Sequence, residues 1–429
     1  MKPRTRRAAL AVAGVSVVAL LASACGSSEG ASGGESAESG VKLTMWVRSG
    51  GPEDDARLLA EAYNAGHENQ VELTVIPSDD YLQKVGSAAG QKALPDILSS
   101  DVVYAANYTR QGIYADITDR IKALDFADAL AQAHIEAGTF DGKRYAVPFV
   151  VDSSFLFYNK DLFEKAGLDP DNPPRSYDEI YAAAKAITGI EDGVYGFGFD
   201  GACAGCFAYT VFPNAFAGGH PPISLDGATA DLDNPAMGDI LGLYRQLYVD
   251  GLVDPAAKTA DGSSWNGPFL QGKVGLLPNG TYTIPALADA GFDWGYIPLG
   301  NADGTKGATF VGGDVVGISS NSTHVDAAWD FLSWAMSEEA QVEVVVKNGG
   351  LPVRTDLGDN KYTTDQRVKD VIAGMATGYT PSTPAYGAAI NDSTGPWLQV
   401  VRGAIFGDDP AGALTQGQAA IQALIDDAS

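Results

Sequence analysis

Along residues 41–63 the spacing of apolar positions changes once. Leu43, Met45 and Val47 alternate with Thr44, Trp46 and Arg48, the two-residue period of a strand with one buried face. The chain then breaks at Ser49-Gly50-Gly51-Pro52, after which Ala56, Leu59, Ala60 and Tyr63 fall on one helical stripe. Pro52 suits the first helical turn, Glu53, Asp54 and Asp55 complement its positive end, and Gly66 suits its close. Val71, Leu73 and Val75 return to the strand period, and a helical stretch starts near Asp80. The run "LPDILSSD" at 94–101 predicts a short third strand ending in polar residues. Strand, helix, strand, helix, strand predicts a parallel sheet with helices on its faces.

The same grammar restarts further on. Residues 145–163 read as extended apolar segments split by Asp152-Ser153-Ser154. Ser176, with Glu179 three residues later, predicts a capping box at the head of a helix over 176–187. "VYGFGF" and "GKVGLL" have strand character, and 324–346 reads as one long helix with a wide apolar face. These elements predict a second α/β unit, and no short-period repeat is visible.

At the start of the chain the pattern is of another kind. Lys2, Arg4, Arg6 and Arg7 precede an apolar run over 8–21 that is too short to span a bilayer. Small residues then lead into Cys25 in "LASAC", which resembles a bacterial lipobox, where the leader is cut before the cysteine and the new terminal Cys is lipidated. An ordinary secretory leader would carry a similar small-residue cleavage site. The lipoprotein reading is favoured by the stretch after the cysteine: "GSSEGASGGESAESG" carries no large apolar residue and predicts a flexible tether. Expected, then, are a signal peptide over 1–24, a lipidated Cys25 with a tether over 25–40, and an exported protein at the outer face of the cytoplasmic membrane. The membrane would be reached through the lipid anchor only.

Removing the leader's four basic residues moves the formal charge from −26 to −30, a surface that repels nucleic acid and anionic lipid. Cys203 and Cys206 in "GACAGCF" could be half a zinc site, a redox pair or a local disulfide. Zinc needs partners, and His67, His134, His220 and His324 are scattered, so no metal is expected. Outside the cell a disulfide that tightens a loop is the default.

A nucleophile elbow, a HExxH pair and a Walker loop are all missing from the sequence. "GFGFDG" at 196–201 matches G-x-G-x-x-G, but the cysteine pair and another glycine come after it where the dinucleotide fingerprint needs an opening helix. No base and nucleophile converge, so neither a catalytic residue nor a cofactor is expected. A hydrolase working with two carboxylates stays open on composition alone.

Aromatic residues recur beside polar ones at chain breaks: Trp46 with Arg48, Asp101, Asp152-Ser153, Trp265-Asn266, Gly312-Gly313-Asp314, Tyr386 and Trp397. A lone aromatic is usually core and a lone carboxylate usually solvated. In open α/β sheets, however, ligands bind outside the carboxyl ends of the strands, where Arg48, Asp101 and Asp152 would fall. A sugar fits such a lining, its C–H face on a ring and its hydroxyls on charged groups.

Four segments in order, "YAVPFVVDSSFLFYNKDLFEKAGL", "FLQGKVGLLPNGTY", "IPLG" with "FVGGDVVGISSNSTHVDAAWDFLSWAMSEEAQ", and "GGLPVR", resemble the extracellular solute-binding proteins of bacterial ABC transporters, in the sugar-binding group that includes maltose-binding protein. The resemblance runs from Val41 nearly to the end. It implies a two-lobe periplasmic-binding-protein-like fold, each lobe a sheet flanked by helices, joined by a hinge that the chain crosses several times. The crossings are expected near Val150-Val151, Phe310-Val311 and Gly350-Leu351. They give an amino-terminal lobe of 41–150 plus 311–350 and a carboxy-terminal lobe of 151–310 plus 351–429. The implied protein is a monomer that captures a carbohydrate, an oligosaccharide, between its lobes and delivers it to permease subunits on closing. A polyamine, a glycerophosphodiester or a peptide is the alternative ligand. Carried over by position, the ligand would meet Trp46, Arg48, Asp101, Asp152, Ser153, Trp265, Asn266, Gly312, Gly313, Asp314, Tyr386 and Trp397. Tyr282 stands where the family often has tryptophan.

Overall fold

The computed structural model describes residues 39–428. Its centre is a mixed sheet in the strand order Gln70–Ile76, Lys42–Arg48, Ile97–Asp101, Val311–Ile318, Val147–Asn159, Val274–Gly280, Tyr195–Phe197, with Trp294–Ile297 also on Val147–Asn159. The first three strands pair in parallel, as the strand–helix alternation requires, and Val311–Ile318 returns antiparallel between Ile97–Asp101 and Val147–Asn159. Leu43, Met45 and Val47 are fully buried, and the helix Gly51–Gly66 lays Ala56, Leu59, Ala60 and Tyr63 on the sheet. Ser176 and Glu179 form the expected reciprocal cap on the helix Tyr177–Ile187.

Three elements differ from the sequence reading. Asp152-Ser153-Ser154 does not split an extended segment: Val147–Asn159 is one strand, and the polar triplet marks where it changes partners. Val147 to Ser153 pair with Val311–Ile318, whereas Ser154 to Asn159 pair with Val274–Gly280 and Trp294–Ile297. The expected long helix is interrupted. Val325–Ala335 ends, and Ser337 then caps a new helical segment by accepting from the Ala340 N–H at 3.2 Å. The cysteine pair, expected in a loop, opens the helix Ala204–Ala217, with Cys203 as its cap. The segment reads poorly because it is apolar all round, with Phe207, Val211, Phe212 and Ala215 buried and Pro213 inside it.

The glycines of "GFGFDG" serve packing. A Cβ on Gly196 would lie 1.9 Å from the Ala184 carbonyl oxygen, and one on Gly201 would lie 2.7 Å from that of Ala257. Near the expected third crossing the chain stays with the first half of the sheet for some residues: the Ala131 N–H donates to the Val353 carbonyl at 2.9 Å, and Thr355 Oγ1 to that of Ala129 at 3.1 Å. By Arg367 it has reached the second half, where Arg367 Nη1 donates to the Trp294 carbonyl and the Arg367 carbonyl accepts from Tyr296 OH, and Tyr379 then bridges to Phe310. Among the described residues, no helix is long and apolar enough to cross a membrane.

Opposite the step from Asp314 to Val315 of the return strand, Val147–Asn159 carries a bulge, with Phe149 as the extra residue between Val150 and Pro148, where a strand tolerates proline. Beside it Gly313 has φ +102, and a Cβ there would sit 2.1 Å from the Val150 carbonyl oxygen. Gly313→Ala combines left-handed backbone strain with a backbone clash. It should lower unfolding free energy by roughly 2–5 kcal/mol, read as a fall in the denaturant midpoint; an unchanged midpoint would show that the bulge relaxes freely.

Candidate functional site

The register of the return strand assembles the site. Asp314 lies directly across from Asp101 on one neighbouring strand, and Gly312 lies across from Asp152 on the other. Arg48, the last residue of the first strand, reaches the same point. Its Nε and Nη2 approach Asp314 Oδ1 at 2.9 and 2.5 Å, and Nη2 lies 3.4 Å from Asp101 Oδ2. Asp314 is fully buried and also accepts from Ser99 Oγ at 2.8 Å. It is therefore the buried anchor of Arg48, while Asp101, about 29% exposed, faces the open side. A buried carboxylate with several charge-assisted bonds holds a guanidinium in one orientation.

Around these groups lies a cavity of about 210 Å³. Arg48, Asp101 and Asp152 line it together with Gly312 and Gly313. Its aromatic walls are Tyr209, Trp265, Tyr282, Phe310 and Tyr386, with Asn391 at one side. Tyr209 OH donates to Asp152 Oδ1 at 2.5 Å, and the Tyr209 and Trp265 rings stand edge to face with centroids 6.4 Å apart. Gly312 makes room for this pair, since a Cβ there would lie 2.4 Å from Asp152 Oδ1 and 2.9 Å from the Tyr209 ring. Asn391 Nδ2 donates to Tyr104 OH at 3.1 Å, and the Tyr104 ring meets that of Tyr386 edge on.

Charge is unevenly matched here, with three carboxylates around one guanidinium. Burial works against the Arg48 charge, but Asp314 and Asp101 outweigh it and raise its pKa. Burial raises Asp101, with Arg48 pulling down and Asp314 pushing up. Asp152 is pushed up to about 6, chiefly by burial, with the Tyr209 hydrogen bond opposing and Asp101 adding. Behind the return strand, His134 is fully buried with Nε2 2.9 Å from the Gly312 carbonyl oxygen, which makes Nε2–H the donor. Its Nδ1 has no partner, and burial lowers its pKa to about 4.

Five of the expected residues do not line the cavity. Trp46 shares a strand face with Arg48 but is covered by the helix Ser78–Gln91, with Lys84 Nζ 4.8 Å above its ring, in a shallow groove of its own. Arg48, one turn of the pleat further on, reaches past it to the cavity. Ser153 is fully buried, its N–H donating to Thr281 Oγ1 at 3.0 Å and its own Oγ unpartnered. Asp314 lies beneath the surface as described. Asn266 precedes the short helix Gly267–Leu270 outside the lining. Trp397 is a core residue, fully buried against Phe212, with Nε1 donating to the Ala204 carbonyl at 3.1 Å.

Tyr209, Phe310 and Asn391 were not foreseen. Tyr209 lies three residues beyond Cys206, so recognising the helix would have placed both on one face. Cys203 and Cys206 are disulfide-bonded, and Cys206 borders the cavity. Cys25, the leader over 1–24 and the tether as far as residue 38 lie outside the described residues. No group of acidic, histidine or cysteine side chains that could hold a metal occurs among the described residues.

The sequence model of bacterial extracellular solute-binding proteins matches residues 59–370. The chain belongs to that family. Among relatives it is 25% identical over 429 residues to the diacetylchitobiose-binding protein of Streptomyces coelicolor, covering 96% of this chain and 97% of that one. It is 24% identical over 314 residues to the maltotriose-binding protein of Pyrococcus abyssi, covering 71% and 65%. Among solved structures, the cyclic α-maltosyl-1,6-maltose-binding protein of Arthrobacter globiformis superposes with a TM-score of 0.76 at 26% identity over 90% of this chain and 99% of that one. An ABC transporter solute-binding protein of Thermotoga lettingae, bound to α-D-tagatose, has the same fold, with a TM-score of 0.77 at 23% identity over 90% and 100%. The fold is thus the two-lobe, periplasmic-binding-protein-like α/β fold.

His134 and Asp152 set opposite pH slopes. The unfolded His134 imidazole, near its ordinary 6.5, takes up a proton that the folded one refuses down to about 4. Stability from this group is therefore lost as pH falls through that window, by roughly 2 kcal/mol between pH 7 and 5. Asp152 binds its proton more tightly folded, at about 6 against 3.8 unfolded, so its contribution rises over the same descent. Denaturant midpoints at pH 7 and 5 should therefore show His134→Gln losing less stability on acidification than wild type, and Asp152→Asn losing more. The reverse order would contradict the burial assigned to both groups.

Proposed function

We propose that this protein is the substrate-binding component of an ABC importer, and that it captures a carbohydrate in the cavity lined by Arg48, Asp101 and Asp152. The observation that carries this is the convergence of those fixed charges with the Tyr209, Trp265, Tyr282 and Tyr386 rings in one cavity. Rings give a face for sugar C–H groups, and the charged groups give paired acceptors and donors for hydroxyls. Relatives named for diacetylchitobiose and maltotriose support the ligand class. The cavity, about 210 Å³, is below the roughly 300–1,000 Å³ usual for ligand sites. It encloses one end of an oligosaccharide and leaves the rest to the open side.

The lobes we assign are 41–150 with 311 to beyond Thr355, and 151–310 with the rest of the carboxy-terminal part. The hydrogen bonds of Val353 and Thr355 to the first half, and of Arg367 to Trp294 and Tyr296, favour a last crossing between Thr355 and Arg367 rather than at Gly350. Ligand gripped from both lobes favours the closed form, which the permease subunits recognise. Lipidated Cys25 holds this monomeric protein at the outer face of the cytoplasmic membrane, and the ligand leaves unchanged rather than hydrolysed. The excess of carboxylate over guanidinium disfavours a phosphodiester and makes a polyamine the second reading.

The test is a thermal-shift screen of the chain from Gly40 onward against mono- and oligosaccharides, polyamines, glycerophosphodiesters and short peptides, with product analysis of the incubated sugars. A ligand at about 100 times its dissociation constant adds roughly 2.7 kcal/mol to the folded state. Trp265→Ala and Asp152→Asn should each weaken the responding sugar about tenfold or more, a loss of at least about 1.4 kcal/mol, while Trp46→Ala leaves its affinity unaltered. A response to spermidine alone, or cleavage of the sugar, would sink the proposal.

A further inference from the structure

The cysteine pair is the chemical feature of the chain that sugar capture does not use, and it stands where two walls of the cavity meet. One wall is the helix Ala204–Ala217, which contributes Gly205, Cys206 and Tyr209. The other is the segment ending in Trp265. The backbone of that segment rests directly on the disulfide: a Cβ on Gly262 would lie 2.8 Å from Cys203 Sγ and 3.0 Å from Cys206 Sγ. Gly262 has φ +94, a conformation other residues rarely adopt, so the close approach and the turn both depend on glycine at this position. Its N–H donates to Asp200 Oδ2 at 3.0 Å, and its carbonyl accepts from the Trp265 N–H at 3.4 Å. Further down the same seam the Ala202 N–H donates to the Ala260 carbonyl at 2.8 Å.

Trp265 needs such support. It packs in part against the apolar cluster that includes Phe269 and Leu277, but it also borders a second, larger cavity of about 570 Å³ into which it has room to move. The turn at Gly262 and the edge-to-face contact with Tyr209 hold it toward the ligand cavity. Both trace to the disulfide, one through the loop and one through the helix start that Cys203 caps.

We propose that the Cys203–Cys206 disulfide is a positioning element of the ligand site: it seats the Gly262 turn and thereby holds Trp265 against Tyr209 at the cavity wall. This rests on the cavity being the ligand site. Reduction or removal of the pair leaves the lobes folded but lets the 260–266 segment move into the neighbouring space. Affinity for sugar then falls without loss of the charged groups.

Hydrogen exchange on the full chain, wild type against the Cys203→Ser/Cys206→Ser double variant, tests the loop without any ligand. Amides of 260–266 should exchange at least about tenfold faster in the variant, while those of Val274–Gly280 keep their protection. Wild type treated with a phosphine reductant gives the same comparison if the variant does not fold. Equal exchange in 260–266 would overturn the proposal. Calorimetry with N,N′-diacetylchitobiose and with maltotriose then tests the route through the ring. The cysteine substitutions should weaken the bound sugar several-fold in wild type but have no further effect in a Trp265→Ala background. The same fold-loss in both backgrounds would overturn the role of Trp265. If neither sugar binds wild type, the same pair of backgrounds is measured with the sugar that responds in the thermal-shift screen, and the exchange result decides the loop on its own.

Discussion

A guanidinium at the end of one strand bonded to a fully buried carboxylate on another is the contact around which this cavity is built. Asp314 has no exposure to water, and removing one partner of such a pair typically costs about 3–5 kcal/mol because a buried charge is left behind. The pair can form only if the return strand lies in its observed register between Ile97–Asp101 and Val147–Asn159. That register in turn sets Asp101 and Asp152 at the surface of the same spot, and it requires glycine at 312 and 313 where side chains would collide with Asp152 and with the backbone of Val150. Arg48 thus works less as an independent ligand group than as the visible end of a buried lock.

The chemistry exposed above that lock is matched to its setting. Arg48 is held in one orientation, Asp152 is held by Tyr209, and the aromatic rings come from segments distant in sequence: the helix after the cysteines, the loop at 265, and the residues around 386. A site drawn from so many segments keeps its geometry only while those segments hold their relative positions.

Much of this was legible beforehand, and the exceptions have physical causes. The opening strand, its helix and the capped helix at Ser176 were readable because each buries one face and so leaves a period in the sequence. Arg48 and Asp101 could be brought together because they end neighbouring parallel strands at one edge of the sheet, whereas Asp152 joins them from inside a strand, where its pairing changes. The continuous strand through Asp152-Ser153-Ser154 was not readable, because its polar residues are satisfied or tolerated by neighbours remote in sequence, such as Thr281 and Phe310. Tyr209 was hidden in a helix with no polar face. Trp46 and Trp397 show the limit for aromatics: adjacency to a polar residue does not say whether a helix or a core will cover the ring.

The third strand, Ile97–Asp101, finds its antiparallel neighbour only at Val311–Ile318, with about half of the chain lying between them. Contacts between such distant residues form late, since a long loop must be closed before anything is gained. The amino-terminal half therefore cannot finish its own sheet while the rest of the polypeptide is still being made. For a member of an extracellular family, the pairing at the middle of the sheet thus waits on residues as late as Ile318.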